Sequence, residues 1–132
     1  MYEVKLFDRV LLKQGMVEHP YETNPGYEAL INNFFYSKDN RALAGYWEAP
    51  VGWFCAEIEG HSELNFVIDG EIDIVDTFND SKRITAKKGD VFLVEKGDRI
   101  KWVIKKPVKT IYFIYPADEG LMRFFKNLGK HR

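Results

Sequence analysis

From about residue 30 the chain falls into short runs of β-branched, aliphatic and aromatic residues separated by turn-forming clusters. The runs lie at 31–36, 42–48, 53–59, 64–68, 71–76, 83–86, 91–94, 99–104 and 108–115. Between them stand Lys38-Asp39-Asn40, Ala49-Pro50, Gly60, Asp69-Gly70, Asn79-Asp80-Ser81, Lys88-Gly89-Asp90, Lys96-Gly97-Asp98 and Lys105-Lys106-Pro107. Turn signals recurring roughly every eight to twelve residues predict an antiparallel sandwich or barrel. Strands and helices do not alternate, which argues against a parallel α/β sheet. Upstream, a short strand is expected over 4–12, then an irregular arm over 14–26 marked by His19-Pro20, Asn24-Pro25 and Gly26. The organisation expected is a strand and arm over 1–29, a barrel over 30–117 and a helix over 118–132.

The period within the runs tells which face is packed. Ile72 and Ile74 alternate with Glu71, Asp73 and Val75, and Ile100, Trp102 and Ile104 with Arg99, Lys101 and Val103. Alternation of this kind predicts one buried and one wet face. The run Ile111-Tyr112-Phe113-Ile114-Tyr115 is apolar on both faces and suits an inner sheet or a dimer interface. After it the period changes: Leu121, Phe124, Phe125 and Leu128 share one helical face. Asp118 and Glu119 stand at its start, and Gly129 can end it. This helix is expected to cover the barrel or a neighbouring subunit.

Composition narrows the function classes. At 132 residues, 45% of them hydrophobic, the chain can bury one core and is not a disordered segment. Nineteen basic against twenty acidic residues leave a net charge of −1, so no global field draws in nucleic acid or an anionic membrane. Two basic clusters, Lys101-Lys105-Lys106-Lys109 and Arg123-Lys126-Lys130-Arg132, read as solvated faces. The single Cys55 lies in an apolar run and reads as a small packed hydrophobe, in keeping with a reducing compartment. The N-terminal Met1-Tyr2-Glu3-Val4-Lys5 carries charge where a signal peptide needs an apolar stretch. No apolar run approaches the roughly 20 residues of a membrane span. A cytoplasmic protein is expected, without nucleic-acid or membrane partners.

Several segments together carry a family resemblance: Gly45-Tyr46-Trp47-Glu48-Ala49-Pro50, Glu63 through Gly70-Glu71, Lys88-Gly89-Asp90-Val91, Lys96-Gly97, Trp102 and Lys109-Thr110-Ile111-Tyr112. They resemble a single-domain cupin, in the subfamily that includes ureidoglycine-aminohydrolase-type domains and ethanolamine-utilisation protein Q. Tyr112-Phe113-Ile114-Tyr115-Pro116-Ala117 is similar to the end of the latter. The resemblance covers about 40–117 and implies an all-β, double-stranded β-helix (jelly-roll) barrel. It implies little about activity, since cupins host isomerases, dioxygenases, lyases and plain binders. For ethanolamine-utilisation protein Q it implies a link to small-aldehyde or acetate metabolism, microcompartment partners and an acetate-kinase activity. The sequence has no Walker-type phosphate loop, so that activity is not carried over.

The cupin pattern sets a His-x-His pair, a gap of three or four residues, a glutamate, a gap of six residues and a glycine. Counting back from Gly70 puts the glutamate at Glu63. With the three-residue gap the pair falls on Glu57 and Glu59; with the four-residue gap it falls on Ala56 and Ile58. The last histidine position is Ile100. The first register turns Glu57, Glu59 and Glu63 inward, an oxygen-rich site for a divalent metal, with His61 beside it. The second turns Phe54, Ala56 and Ile58 inward and the glutamates outward. Burying three carboxylates without a counter-ion costs several kcal/mol per ion, so the apolar register is favoured unless metal binds.

A pocket follows from the resemblance and the spacing together. Glu63 and Asn65, two apart on one strand, share a face that in this fold is the barrel interior. Trp102 and Tyr112 stand where the related subfamily has interior aromatics, and Trp47 and Trp53 are candidates for the same wall. His61, next to Gly60, reads as an exposed loop residue or as an acid or base beside Glu63 at the barrel mouth. His19 and His131 are expected to face solvent. The candidate catalytic pair is therefore Glu63 and His61, and the candidate ligand pocket is Trp47, Asn65, Trp102 and Tyr112. Three functions stay open. One is a cupin with a histidine-depleted metal site and no favoured cofactor, binding a small polar metabolite. Another is a hydrolase or isomerase using metal at Glu57, Glu59, His61 and Glu63. The third is a structural or regulatory dimer with a filled barrel. A homodimer is expected under each.

Overall fold

The computed structural model describes residues 4–128. Ten elements follow in order: α1 (Arg9–Lys13), β1 (Val17–Pro20), β2 (Glu28–Tyr36), β3 (Leu43–Ala49), β4 (Gly52–Glu57), β5 (Ser62–Asp76), β6 (Arg83–Lys87), β7 (Val91–Val94), β8 (Arg99–Tyr115) and α2 (Glu119–Asn127). All pairings are antiparallel, in the order β1-β2-β3-β8-β5-β6, with β4 on β8 and β7 on β5. This is the antiparallel barrel expected from the strand spacing, in the jelly-roll form that the resemblance implies, with a short C-terminal helix. Among the described residues no helix is long and apolar enough to cross a membrane.

The barrel closes because β5 and β8 run through what the sequence reads as turns. Gly70 and Pro107 each look like breaks, and the runs 64–68 and 71–76, like 99–104 and 108–115, look like separate strands. Instead both strands continue and bend together. The β5–β8 register shifts between Val67 and Ile72, and Gly70 takes φ +92° there. A Cβ at Gly70 would run into the Pro107 backbone, so a residue without one lets the strands approach. Pro107 has no N–H to give the ladder and sits at this irregularity. Consequently the first half of β8 pairs with β4 and the second half with β3, while β5 accompanies it throughout.

Two upstream expectations are corrected. The segment 4–12 contains α1 rather than a strand, because the Asp8 carboxyl accepts from the N–H groups of Val10 and Leu11, both at 3.0 Å. The arm over 14–26 is not wholly irregular: β1 pairs with β2, Val17 opposite Ile31 and His19 opposite Ala29. Beyond β1, Thr23 and Asn24 bind the backbone of β4 at Cys55 and Trp53. These bonds lay the arm across the barrel wall.

Most of the core follows the alternation. Ile72, Ile74, Ile100, Trp102 and Ile104 are buried. The wet face of β5 is less wet than expected. Asp73 is only 2% exposed, covered by Arg83 and Lys105 and bonded by the Thr85 hydroxyl at 2.7 Å, and Val75 is also buried. Helix α2 forms where the 3.6-residue period placed it. The Asp118 carboxyl caps it by accepting from Leu121 N–H at 2.8 Å. Gly129, Lys130, His131 and Arg132 lie outside the described residues.

Candidate functional site

Side-chain alternation along β5 builds one wall of an internal cavity. Glu63 and Asn65 point inward; Leu64 and Phe66 point outward and are 46% and 44% exposed. Glu63 lies opposite Val94 and Ile114, and Asn65 opposite Phe92 and Tyr112. From the other half of β8 comes Trp102, opposite Phe54 of β4. Trp47 of β3 meets Trp102 edge to face, with ring centres 6.0 Å apart. Together they bound a cavity of about 280 Å3.

The register of β4 is the apolar one. Phe54, Ala56 and Ile58 line the cavity, with Phe54 and Ile58 buried. Glu59 is exposed. Glu57 is exposed as well, reaching only the rim, and pairs with Arg99 at 3.7 Å. The candidate metal set Glu57, Glu59, His61 and Glu63 is therefore divided between the two faces of the wall. Among the described residues no three His, Cys, Asp or Glu side chains converge as a metal site. The residues do not fit the metal centre that the fold family implies, and no chemical step is derived through one.

Glu63 is the electrostatic centre of the cavity. Burial pushes its carboxyl up from an ordinary 4.5 to about 7, against the opposing hydrogen bond from the Asn65 amide at 3.2 Å. Asn65 is itself fixed, accepting from the Thr110 hydroxyl at 3.3 Å. The Trp102 indole N–H is buried and has no hydrogen-bond partner. Tyr112 turns its ring to the cavity, but its hydroxyl donates to Asn33 across Gly45, so it is not free to donate to a ligand. His61 is half-buried at the mouth, its pKa lowered by burial and raised in part by Asp118.

Two expectations about the wall are corrected and one residue, Tyr21, was missed. Trp53 lies outside the barrel, 38% exposed, with the Lys101 ammonium 4.8 Å above its ring, because it is one residue out of phase with Phe54. His19 does not face solvent. It lines the cavity, stacked on Tyr21 at 4.2 Å and edge-on to Phe124 at 5.5 Å. Burial lowers its pKa, with the Pro20 carbonyl opposing. Tyr21 was not foreseen. It stacks on Phe54 at 3.9 Å, and its hydroxyl accepts the Trp47 indole N–H at 2.9 Å. The period-two spacing of Val17, His19 and Tyr21 was the available signal. Leu121, Phe124 and Phe125 of α2 close the remaining side, so the helix is part of the cavity wall.

Comparison with known proteins agrees with this architecture. The family described as ethanolamine utilisation protein EutQ matches residues 4–120. An acetate kinase EutQ of Clostridioides difficile is 33% identical over 58 residues, 44% of this chain and 35% of that protein, so the match spans about a third of its length. The solved EutQ structure from Clostridium difficile superposes with a TM-score of 0.63 at 25% identity, covering 75% of this chain and 71% of that one. A cupin superfamily protein from Desulfitobacterium hafniense shares the fold, with a TM-score of 0.55 at 20% identity over 68% of this chain and 78% of its own. With its jelly-roll barrel and a family match across most of its length, the chain belongs to the ethanolamine-utilisation protein EutQ family of cupins.

Proposed function

We propose that this cupin binds a small polar metabolite inside its barrel, with Glu63 and Asn65 supplying the polar contacts. One observation carries this reading: the Glu63 carboxyl and the Asn65 amide face a cavity walled mainly by aromatic and aliphatic side chains. A few convergent polar groups in an apolar cavity describe a ligand site, and about 280 Å3 falls just below the roughly 300–1,000 Å3 of drug-sized sites. The acetate-kinase activity named for the curated relative gains no support from this cavity. None of the described lining residues is a lysine or arginine to hold a phosphoryl group or an acetate. Glu63 would repel both.

A thermal-shift screen of metabolites against the wild type and Ala56→Leu, which fills the cavity from β4, tests the reading. A metabolite that raises the melting temperature of the wild type but not of the variant is the expected result. Shifts that persist in the variant, or none in the panel, overturn it. Metal content of protein purified without chelator, with Glu63→Ala beside it, tests the hydrolase or isomerase alternative. Near-stoichiometric metal lost in the variant would establish that alternative.

A second reading concerns assembly. Leu64, Phe66, Val91, Leu93, Phe113 and Tyr115 stand exposed on adjacent strands β5, β7 and β8. A contiguous apolar sheet face without interleaved charge suits an isologous contact with a second copy. Light scattering should give a dimer for the wild type and a monomer for Phe66→Lys. A monomeric wild type sinks this reading.

A further inference from the structure

Building on the cavity-binding reading above, the inner surface specifies the charge of the occupant. Four facts bear on it. Glu63 faces the cavity, and its hydrogen-bond partner is the neutral Asn65 amide; no lysine or arginine is among the described lining residues, and burial lowers the pKa of the two lining histidines, His19 and His61. A buried carboxylate without a cation is costly, and a cationic ligand removes that cost. The surrounding walls are aromatic. Phe54 stacks on both Tyr21 and Trp102, and Tyr112 on Phe125, whereas Trp47 lies at 75° to Phe54 and 65° to Trp102 and so is stacked on neither. Ring faces around a desolvated site attract organic cations. Finally, the cleft adjoining the mouth is lined by Glu57, Glu59 and Asp118, with Arg99 paired to Glu57 and His61 close enough to feel Asp118.

We propose that the cavity recognises a small organic cation, its charge paired with Glu63 and its apolar surface held against Trp47, Phe54, Trp102 and Tyr112. Neutral ligands gain only the apolar contacts, and anions meet Glu63 as a like charge.

The test is isothermal titration with a charge series of one shape, at about pH 8. Its members are choline, its uncharged isostere dimethylbutanol and the anion dimethylbutyrate, each against the wild type and Glu63→Gln. Choline should bind the wild type at least about tenfold more tightly than the other two, the scale of a desolvated cation–π contact with an ion pair beside it. Glu63→Gln should reduce that preference to under about threefold. Equal affinity for choline and dimethylbutanol, or preference for the anion, overturns the proposal even if Glu63→Gln does not fold. Uncharged or anionic binding that Ala56→Leu abolishes removes the cation assignment and leaves the cavity-binding reading standing. No binding by any member, together with a blank metabolite screen, removes both.

Discussion

Glu63→Gln should stabilise the protein at alkaline pH and leave it nearly unchanged in acid. The carboxyl titrates near 7 in the folded chain against 4.5 when solvated, so the folded state holds its proton more tightly. For a raised carboxyl the penalty is absent below about pH 4.5, grows between 4.5 and 7, and is complete above 7. At about 1.4 kcal/mol per pH unit of displacement, the full penalty is up to about 3.5 kcal/mol, less in proportion as cavity water solvates the ion. Glutamine keeps the oxygen that accepts from Asn65 and carries no charge. His19 and His61 oppose this trend in the wild type. Burial lowers both, so their destabilisation belongs to acid and vanishes as pH rises toward 6.5. The variant-minus-wild-type difference cancels them. Urea unfolding followed by tryptophan fluorescence from pH 4 to 9 gives that difference directly. A difference that is flat across this range would refute the reasoning, since Glu63 would then titrate as a solvated side chain.

Other perturbations separate the inside of the barrel from its outside. Trp102→Ala removes a buried ring and should cost about 3–5 kcal/mol in denaturant unfolding, whereas Trp53→Ala, on the outer face, should cost under about 1. Gly45→Ala puts a methyl into the Tyr112–Asn33 hydrogen bond; a loss of about 2–4 kcal/mol in the same assay is expected. Asp73→Asn should cost about 1–3 kcal/mol, because Arg83, Lys105 and Thr85 all converge on that buried carboxylate. A neutral result there would mean that the covered face of β5 is wet.

Much of the site was legible before any coordinates. The two-residue separation of Glu63 and Asn65 placed them on one face, and the alternation of Ile100, Trp102 and Ile104 placed the indole inside. The β4 register was decidable in principle, because three converging buried carboxylates are prohibitive without a counter-ion, and Phe54 and Ile58 are indeed the buried pair. Trp53 was misplaced by its ring alone, although its phase relative to Phe54 already put it outside.

What the sequence determined, then, is set by short-range rules. Period two fixes which strand face is buried, period 3.6 fixes α2, and Asp118 caps it, each within one or two turns of chain. Tertiary structure decided the rest through contacts between residues far apart in sequence. Gly70 and Pro107 read locally as breaks, yet two long strands bend together there because closing the barrel buries more than an interrupted ladder costs. Tyr21 reaches Phe54 and Trp47 only because Thr23 and Asn24 hold the arm on β4. The perturbation of Glu63 belongs to the assembled cavity and to no segment of it, since desolvation is a property of everything that surrounds the group.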